Sequence, residues 1–334
     1  MLLDNIESSS EALRCTVIIV NWNSWDILSS CLAKLQQQTF KNFNVLVIDN
    51  ASADPAPSDL LTHHPNVRLI QNRSNLGFAA ANNQAIKLLE GTAWVALLNP
   101  DAFPEPAWLA QLLEAASKNP DYVMFASRQL MDGNQKLLDG DGDVYHISGL
   151  VWREGHGMPV IKAKQVVREI FSPCAAAALY RRDALLSVGG FDEDFFCYIE
   201  DIDLGFRLRL LGHRCLLVPD AVVHHIGSAT TGGQRSDFSV YHGHRNLVWA
   251  YVKNMPGLLF WAFLPLHIAL NCATICVFAL RGKGRVVFRA KRDAIKGLPH
   301  IWAKRKNIQS ARIATIQDIW HILDKRFFPR KTAR

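Results

Sequence analysis

The chain has 334 residues, 49% of them apolar, enough for one large domain or about two smaller ones, each with its own core. Its formal net charge of +7 is unevenly spread: residues 281–334 hold 16 Lys and Arg against 3 Asp and Glu, leaving 21 against 27 in residues 1–280. An acidic body with a basic tail points to an anionic partner, either lipid head groups or nucleic acid, while seven cysteines, odd in number and without CxxC spacing, exclude a disulfide framework.

Residues 1–14 are polar and acidic and lack the apolar stretch of a secretory signal peptide. Residues 15–20 (CTVIIV) form a β-branched run suited to a central parallel strand. Ser24 then caps a predicted helix with Leu28, Leu32 and Leu35 on one face. Residues 43–48 predict a second strand ending at Asp49, and 67–70 a short third one. Residues 77–90 predict an alanine-rich helix containing Asn82 and Asn83. A fourth strand, 93–98, runs into Asn99-Pro100-Asp101. Pro106 suits the first position of a helix reaching about Ser117, and 122–126 predict a fifth strand. This alternation predicts an open, mostly parallel sheet with helices on both faces. Ligands of such sheets bind beyond the carboxyl ends of the strands, where Asp49 and Asp101 fall. The first turn, Asn21-Trp22-Asn23, lacks the GxGxxG fingerprint, which argues against a dehydrogenase.

Residues 129–157 are rich in Gly and Asp. Asp139, Asp141 and Asp143 have the spacing of an EF-hand start, but the sixth position is Val144 and the twelfth Leu150, so the motif fails; a flexible, solvated loop over the site is expected. Residues 174–180 predict a strand of small side chains that leaves room for a ligand, 182–187 a short helix, and Gly189-Gly190 a turn. Six carboxylates follow within thirteen residues: Asp192, Glu193, Asp194, Glu200, Asp201 and Asp203. Leu204, Leu208 and Leu211 predict a helix from about Asp201, stopped by Gly212. Glu200, Asp201 and Asp203 thus occupy its first turn, where the helix dipole favours negative charge, and Arg207 is placed to pair with Asp203 at i+4. A short buried strand, 215–218, precedes His224 and His225. Residues 230–237 (TTGGQRSD) read as a mobile loop and 241–254 as a helix.

Residues 257–280 carry no charge over 24 positions, and about 20 suffice to span a bilayer. Pro265, His267 and Asn271 interrupt the run, so a kinked or hairpin-like segment dipping into one leaflet is expected as readily as a full span, with a buried helix pair as the soluble alternative. Lys291, Arg292 and Lys296 with Ile295, Leu298 and Trp302 suggest an amphipathic interfacial helix. The tail's aromatics (Phe288, Trp302, Trp320, Phe327, Phe328) would also suit base stacking in a non-catalytic nucleic-acid-binding protein. The adjacent apolar run makes an anionic membrane surface the simpler partner, with no nucleic acid.

Scattered acids at strand ends together with one histidine suit a nucleotide held through a divalent cation. The stretches VIIVNWNS, VIDNAS, NLGFAAANN, LLNPD, GGFDEDFFCYIEDIDLGFRLRLLGH and VPDAVVHHIGSAT resemble the family 2 glycosyltransferases of GT-A fold over about residues 14–255. They look closest to the rhamnosyltransferase-like group of bacterial surface-polysaccharide synthesis. The resemblance implies an α/β, Rossmann-like GT-A domain over 14–245, followed by a helical, membrane-associating region over 246–334. It implies that Asp49 binds the nucleobase of a nucleotide-diphosphate sugar, with Asn21, Asn83 and Arg245 as further donor contacts. Asp101 matches the last acid of the DxD metal motif, whose first position here is Asn99. Glu200-Asp201 matches the ED motif, with Asp201 as the general base. His225 matches the histidine that completes the shell of Mg2+ or Mn2+. His224 remains its rival, because a strand turns only one of two neighbours inward; the His225-Ile226-Gly227-Ser228 pattern favours His225. The resemblance further implies an inverting transfer of a sugar, with rhamnose as the family-level expectation, to a hydroxyl of a polyprenyl-diphosphate-linked glycan at the cytoplasmic face of the inner membrane.

Overall fold

The computed structural model describes residues 14–227 and 236–326; Ser228, most of the loop expected over 230–237, and the aromatics Phe327 and Phe328 lie outside the described residues. The chain opens with β1 (Cys15–Asn21), α1 (Trp25–Gln36), β2 (Phe43–Asp49), α2 (Leu60–His63), β3 (Val67–Gln71), α3 (Gly77–Lys87) and β4 (Trp94–Leu98). Next come β5 (Ala102–Pro104), α4 (Trp108–Lys118), β6 (Tyr122–Met131), β7 (Asn134–Gly140), β8 (Asp143–Tyr145), β9 (Val151–Arg153), β10 (Arg168–Ile170) and β11 (Ala177–Arg181). The rest is α5 (Arg182–Ser187), α6 (Glu200–Leu210), β12 (Arg214–His225), α7 (Asp237–Asn254), α8 (Gly257–Leu280), α9 (Gly284–Lys296), α10 (Leu298–Ser310) and α11 (Ile316–Ile322).

The main sheet runs β10-β12-β6-β11-β4-β1-β2-β3, with β5 added to β12 and β7 to β6. Four of the seven pairings along that order are parallel, and all three among β4, β1, β2 and β3 are. Their apolar runs are buried on both faces, as parallel strands require. One face packs α1 and α4 through Leu28, Leu32, Trp108 and Leu112. The other packs α3 and α6 through Ala81, Ala85, Leu204 and Leu208. The opposite flank of α6 is covered too: Phe206 and Leu210 enter a third core with Trp249, Tyr251, Phe260 and Ile301. A helix buried on both flanks is held rigidly, and α6 carries Glu200 and Asp201 at its start.

Several expectations change in the fold. The strand read at 174–180 is β11, and it runs antiparallel between β4 and β6. The strand read at 215–218 extends to His225, with a register shift between Val218 and Val222. Residues 129–157 are not a solvated loop: they continue β6 and form β7, β8 and β9, and Asp139, Asp141 and Asp143 are all buried. Each acid turns a different way, and Asp141 is consumed by a buried two-point pair with Arg128, at 2.9 and 2.8 Å. Position 246 falls inside α7, whose side chains bind both the sheet domain and the C-terminal helices.

The apolar run is neither a hairpin nor a buried pair. It is one 24-residue helix, α8, that contains Pro265 and buries only Leu259, Phe260 and His267. His267 docks it: its Nδ1 donates to Ser148 O at 2.7 Å and its ring stacks on Tyr251 at 4.0 Å. The helix doubles back along α7, bringing Phe278 to 4.6 Å from the His244 ring and Lys283 onto Asp237. Then α9 packs on α7 through Val287, Ala290 and Ala294; Tyr241 donates to Asp293 and Trp249 to Ala294 O, both at 3.0 Å.

Candidate active site

The register of the parallel strands builds the first part of the site. Asn21 and Asp49 are partners at the carboxyl ends of β1 and β2, and Asn21 Nδ2 donates to Asp49 Oδ1 at 3.0 Å. Ser52 Oγ donates to the same oxygen at 2.6 Å. Asn50 ties this end to the start of α3, accepting from Leu76 N at 3.0 Å and donating to Gly77 O at 3.3 Å. Asn21 and Asp49 are buried just behind the wall of a cleft of about 1170 Å³, which their neighbours Val20, Trp22 and Asn50 line. A cleft of this size, mostly apolar with converging polar groups, has the character of a small-molecule site.

Asn99-Pro100-Asp101 is the tight turn between β4 and β5, and β5 pairs antiparallel with the end of β12 so that Ala102 faces His225. That register sets Asp101 beside the imidazole: His225 Nε2 lies 3.4 Å from Asp101 Oδ1. The other ring nitrogen, Nδ1, lies 2.7 Å from Asp139 Oδ2. Asp139 also pairs with Arg153 and takes His156 Nδ1 at 3.3 Å. Burial alone would raise the Asp139 carboxyl; hydrogen bonds from His156 and His225 and the Arg153 charge overcome it and hold it well below the usual carboxylate range. Burial alone would lower His225, but Asp101 and Asp139 raise it. His225 Nε2 is buried and has no hydrogen-bond partner. A buried imidazole nitrogen aimed at a carboxylate, its far nitrogen fixed by a second carboxylate, fits a divalent cation held by Asp101 and His225, with the Asn99 carbonyl side chain within the same turn. His224 points away, 3.2 Å from Glu105.

The third part is the start of α6. Asp201 Oδ2 accepts from Ala175 N at 3.1 Å and Oδ1 from its neighbour Ile202 N at 2.8 Å. Burial raises its pKa despite these bonds and the Arg153 charge. Glu200 is buried with Oε2 unpartnered, and burial together with the Asp201 charge pushes its pKa well above the ordinary glutamate value. Asp143 and Cys174 bring ligand atoms within 4.8 Å of those of Asp201. Burial, then the Asp201 charge, also raises Asp143 well above its ordinary value. Asp201 faces the same cleft as Asp101 and His225. The expected Asp203–Arg207 pair forms at 2.8 Å, but on the buried flank of α6.

Two residues read from the sequence as donor contacts stand elsewhere. Asn83 clamps the turn before α6: its Nδ2 donates to Phe191 O at 2.8 Å and to Glu193 at 2.9 Å, and its Oδ1 accepts from Phe191 N at 2.8 Å. Arg245 donates to Asp194 O and Phe195 O at 2.9 and 3.1 Å and stacks over Trp249 at 4.2 Å. Conversely, Arg153, Asp139 and Asp143 were not singled out as site residues. The one available signal was the pair of acids Asp139 and Asp143 inside an Asp-Gly run too polar for an ordinary buried strand.

Among solved structures, GalNAc-T7 with UDP, GalNAc and Mn2+ is similar with a TM-score of 0.58 and 16% identity, over 72% of this chain and 48% of that one. The mannosyltransferase PcManGT from Pyrobaculum calidifontis, in complex with GDP-Man and Mn2+, is similar with a TM-score of 0.53 and 17% identity, over 92% and 87%. These likenesses show the fold, a mostly parallel α/β sheet flanked by helices, of the GT-A type. In sequence, the N-acetylglucosaminyl-diphospho-decaprenol L-rhamnosyltransferase of Mycobacterium tuberculosis is 30% identical over 252 residues, covering 68% of this chain and 80% of that protein. The O-antigen biosynthesis protein RfbC of Myxococcus xanthus is 28% identical over 228 residues, 64% of this chain and 17% of its own. The family described as glycosyl transferase family 2 matches residues 16–189, and the chain belongs to it.

Proposed function

We propose that this glycosyltransferase moves a sugar, rhamnose by analogy with its mycobacterial relative, from a nucleotide-diphosphate donor to a hydroxyl of a polyprenyl-diphosphate-linked glycan, with inversion at the anomeric carbon. The observation that carries the reading is Asp201: an ionisable carboxylate at the start of a rigid helix, opening on the cleft that also holds Asp101 and His225. Asp201 takes the proton from the acceptor hydroxyl as that oxygen attacks. Asp101 and His225, with Asn99, would hold a divalent cation, which when bound offsets charge on the leaving diphosphate. Asp49 and Asn21 would meet the nucleobase end of the donor.

The same reading sets the chain at the cytoplasmic face of a membrane, where nucleotide sugars are found. It is supported by α8, of mean hydropathy 2.0 and only 6% buried over its most apolar stretch, with Leu258, Trp261, Ile268 and Leu280 exposed. At about 1.5 Å per residue α8 is roughly 36 Å long, but its start is tied to α7 by Tyr251 OH on Phe260 O, its middle to the body by His267 on Ser148 O, and its end to α7 by Phe278 against His244. A helix lying in one leaflet fits these ties; a full span would pull α9 off α7.

The test is turnover of the purified full chain with a panel of nucleotide sugars, Mn2+ and N-acetylglucosaminyl diphosphate on a short isoprenoid chain. Transfer with inversion, falling about 10²–10⁴-fold in Asp201→Asn, is expected. Near-normal transfer by Asp201→Asn would sink the assignment of the base. Full-length protein that stays soluble at low salt without detergent would sink the membrane reading.

A further inference from the structure

Four residues ahead of Glu200 and Asp201, the backbone does something costly. Phe196, Tyr198 and Ile199 have φ of 64°, 67° and 70°, the left-handed region that non-glycine residues seldom occupy. Such strain persists only where surrounding structure over-determines it, and it concentrates at ligand sites. The surroundings here are explicit. Asn246 Nδ2 donates to the carbonyls of Phe195, Cys197 and Tyr198 at 2.9, 3.0 and 2.8 Å. Ala79 N donates to Phe196 O at 3.3 Å. Gly77 leaves the space: a Cβ there would stand 2.6 Å from the Phe196 ring and 2.7 Å from its carbonyl oxygen.

The strain presents aromatic surface to the cleft. Phe196, Tyr198 and, from the first turn of α7, Phe238 all line it. Phe196 stacks on His242 with centroids 5.4 Å apart and meets Phe238 edge-on at 6.2 Å. Tyr198 OH accepts from Ser239 Oγ at 2.8 Å, which locks its ring to α7. Phe238 is 38% exposed, a large apolar side chain left open beside the cleft it lines.

We propose that Phe196, Tyr198 and Phe238 form the platform on which the acceptor's pyranose ring lies while its hydroxyl faces Asp201. This rests on the transferase reading above and adds to it the residues that select the acceptor. The argument is one of adjacency. A hydroxyl that gives its proton to Asp201 must come within about 3 Å of that carboxylate, so the ring bearing it lies against the residues that lead into Asp201. Those are aromatic, and the C–H face of a pyranose is apolar while its edge carries the hydroxyls, so aromatic faces grip it without competing for the reacting group. The nucleobase end of the donor has its own polar groups at Asn21 and Asp49, at the carboxyl ends of β1 and β2.

The test compares the full chain with Phe196→Ala, Phe238→Ala and Phe196→Tyr, using N-acetylglucosaminyl diphosphate on a farnesyl chain as acceptor probe. Acceptor KM is read from initial rates, and affinity for the nucleoside diphosphate with Mn2+ from calorimetry. Each alanine variant is expected to raise acceptor KM about tenfold with nucleotide affinity within twofold of the parent, and Phe196→Tyr to restore most of the loss. Phe238→Ala guards against misfolding, because that side chain is partly exposed and sits outside the strained turn. Acceptor KM within twofold of the parent in both alanine variants overturns the platform, as does an equal loss of nucleotide affinity. Absence of transfer by the unmodified chain would overturn the parent reading and the platform with it, and is distinct from both.

Discussion

Asp139 gives the sharpest test of how the cation site is assembled. Its carboxylate serves three donors: His225 Nδ1 at 2.7 Å, His156 Nδ1 at 3.3 Å, and the Arg153 guanidinium. Asp139→Asn keeps the volume but offers one acceptor oxygen and two N–H groups to those three donors, and it removes the charge that fixes the His225 tautomer. Loss of such an outer partner typically costs 10–100-fold in metal affinity, about 1.4–2.7 kcal/mol. Three donors left to one acceptor should take this chain beyond the lower end of that range. Calorimetric titration of Mn2+ into the chain saturated with nucleoside diphosphate reads it directly. His225→Ala should lose more, and His224→Ala, on the other face of β12 beside Glu105, should lose nothing. If Asp139→Asn binds Mn2+ as tightly as the parent while His225→Ala does not, Asp139 does not orient the ligand. If His225→Ala is also silent, the cation site is not here.

Asp201 must be ionised to act as a base, and its carboxyl sits above the ordinary value through burial, with Arg153 pulling it back down. Arg153→Gln removes that pull, so the acid limb of the kcat/KM profile should move to higher pH; a limb that stays or moves down refutes the coupling. Asp141→Ala leaves the Arg128 guanidinium, 2% exposed, without its two-point partner, and unfolding by urea should show a loss of about 3–5 kcal/mol. Lys291 is buried against His244 O, and burial lowers its pKa to about 7. In the unfolded chain it titrates near 10.4, so the folded state binds fewer protons between those values and loses stability as pH falls from about 10 to 7. Lys291→Met should raise the melting temperature at pH 7 and flatten its dependence on pH over that window; an unchanged slope would refute the assignment.

The parts of the site that could be read from sequence are those set by short-range rules. Asp49 and Asp101 follow β-branched or apolar runs that can only be central strands, and Asp201 opens a helix with a clear apolar face. Strand alternation says that only one of His224 and His225 turns inward; preferring His225 rested on the His225-Ile226-Gly227-Ser228 pattern. What escaped depends on partners far apart in the chain. Asp139 meets His225 across 86 positions and Arg153 meets it across 72, and nothing local marks either contact. Asn83 and Arg245 show the converse: a polar residue on a helix near a motif reads as a ligand contact, yet Asn83 bonds the Phe191 backbone and the Glu193 side chain, and Arg245 bonds Asp194 O, Phe195 O and the Asn246 side chain. The antiparallel insertion of β11 was equally hidden, because strand composition carries no direction. In α8 the apolar run was plain, but its return along α7 is fixed by Phe278, Lys283 and His267 meeting residues on other elements.

The Lys253 ammonium is fully buried, 2.7 Å from Asp203 and also paired with Asp192. Asn254 donates to Asp203 at 2.7 Å, Lys304 holds Asp192 and Asp194, and Arg305 caps the end of α7 through Val252 O and Met255 O. These contacts join the C-terminal helices to the segment that bears Glu200 and Asp201. A chain cut after Asn254 would keep every sequence motif of its family yet open that charge cluster to water and release the turn ahead of α6. The C-terminal helices and the segment that bears Glu200 and Asp201 are therefore not separable modules. A test of the proposed membrane contact calls for polar substitutions along the exposed flank of α8, at Leu258, Trp261 and Ile268, because deletion would also remove the footing of α6.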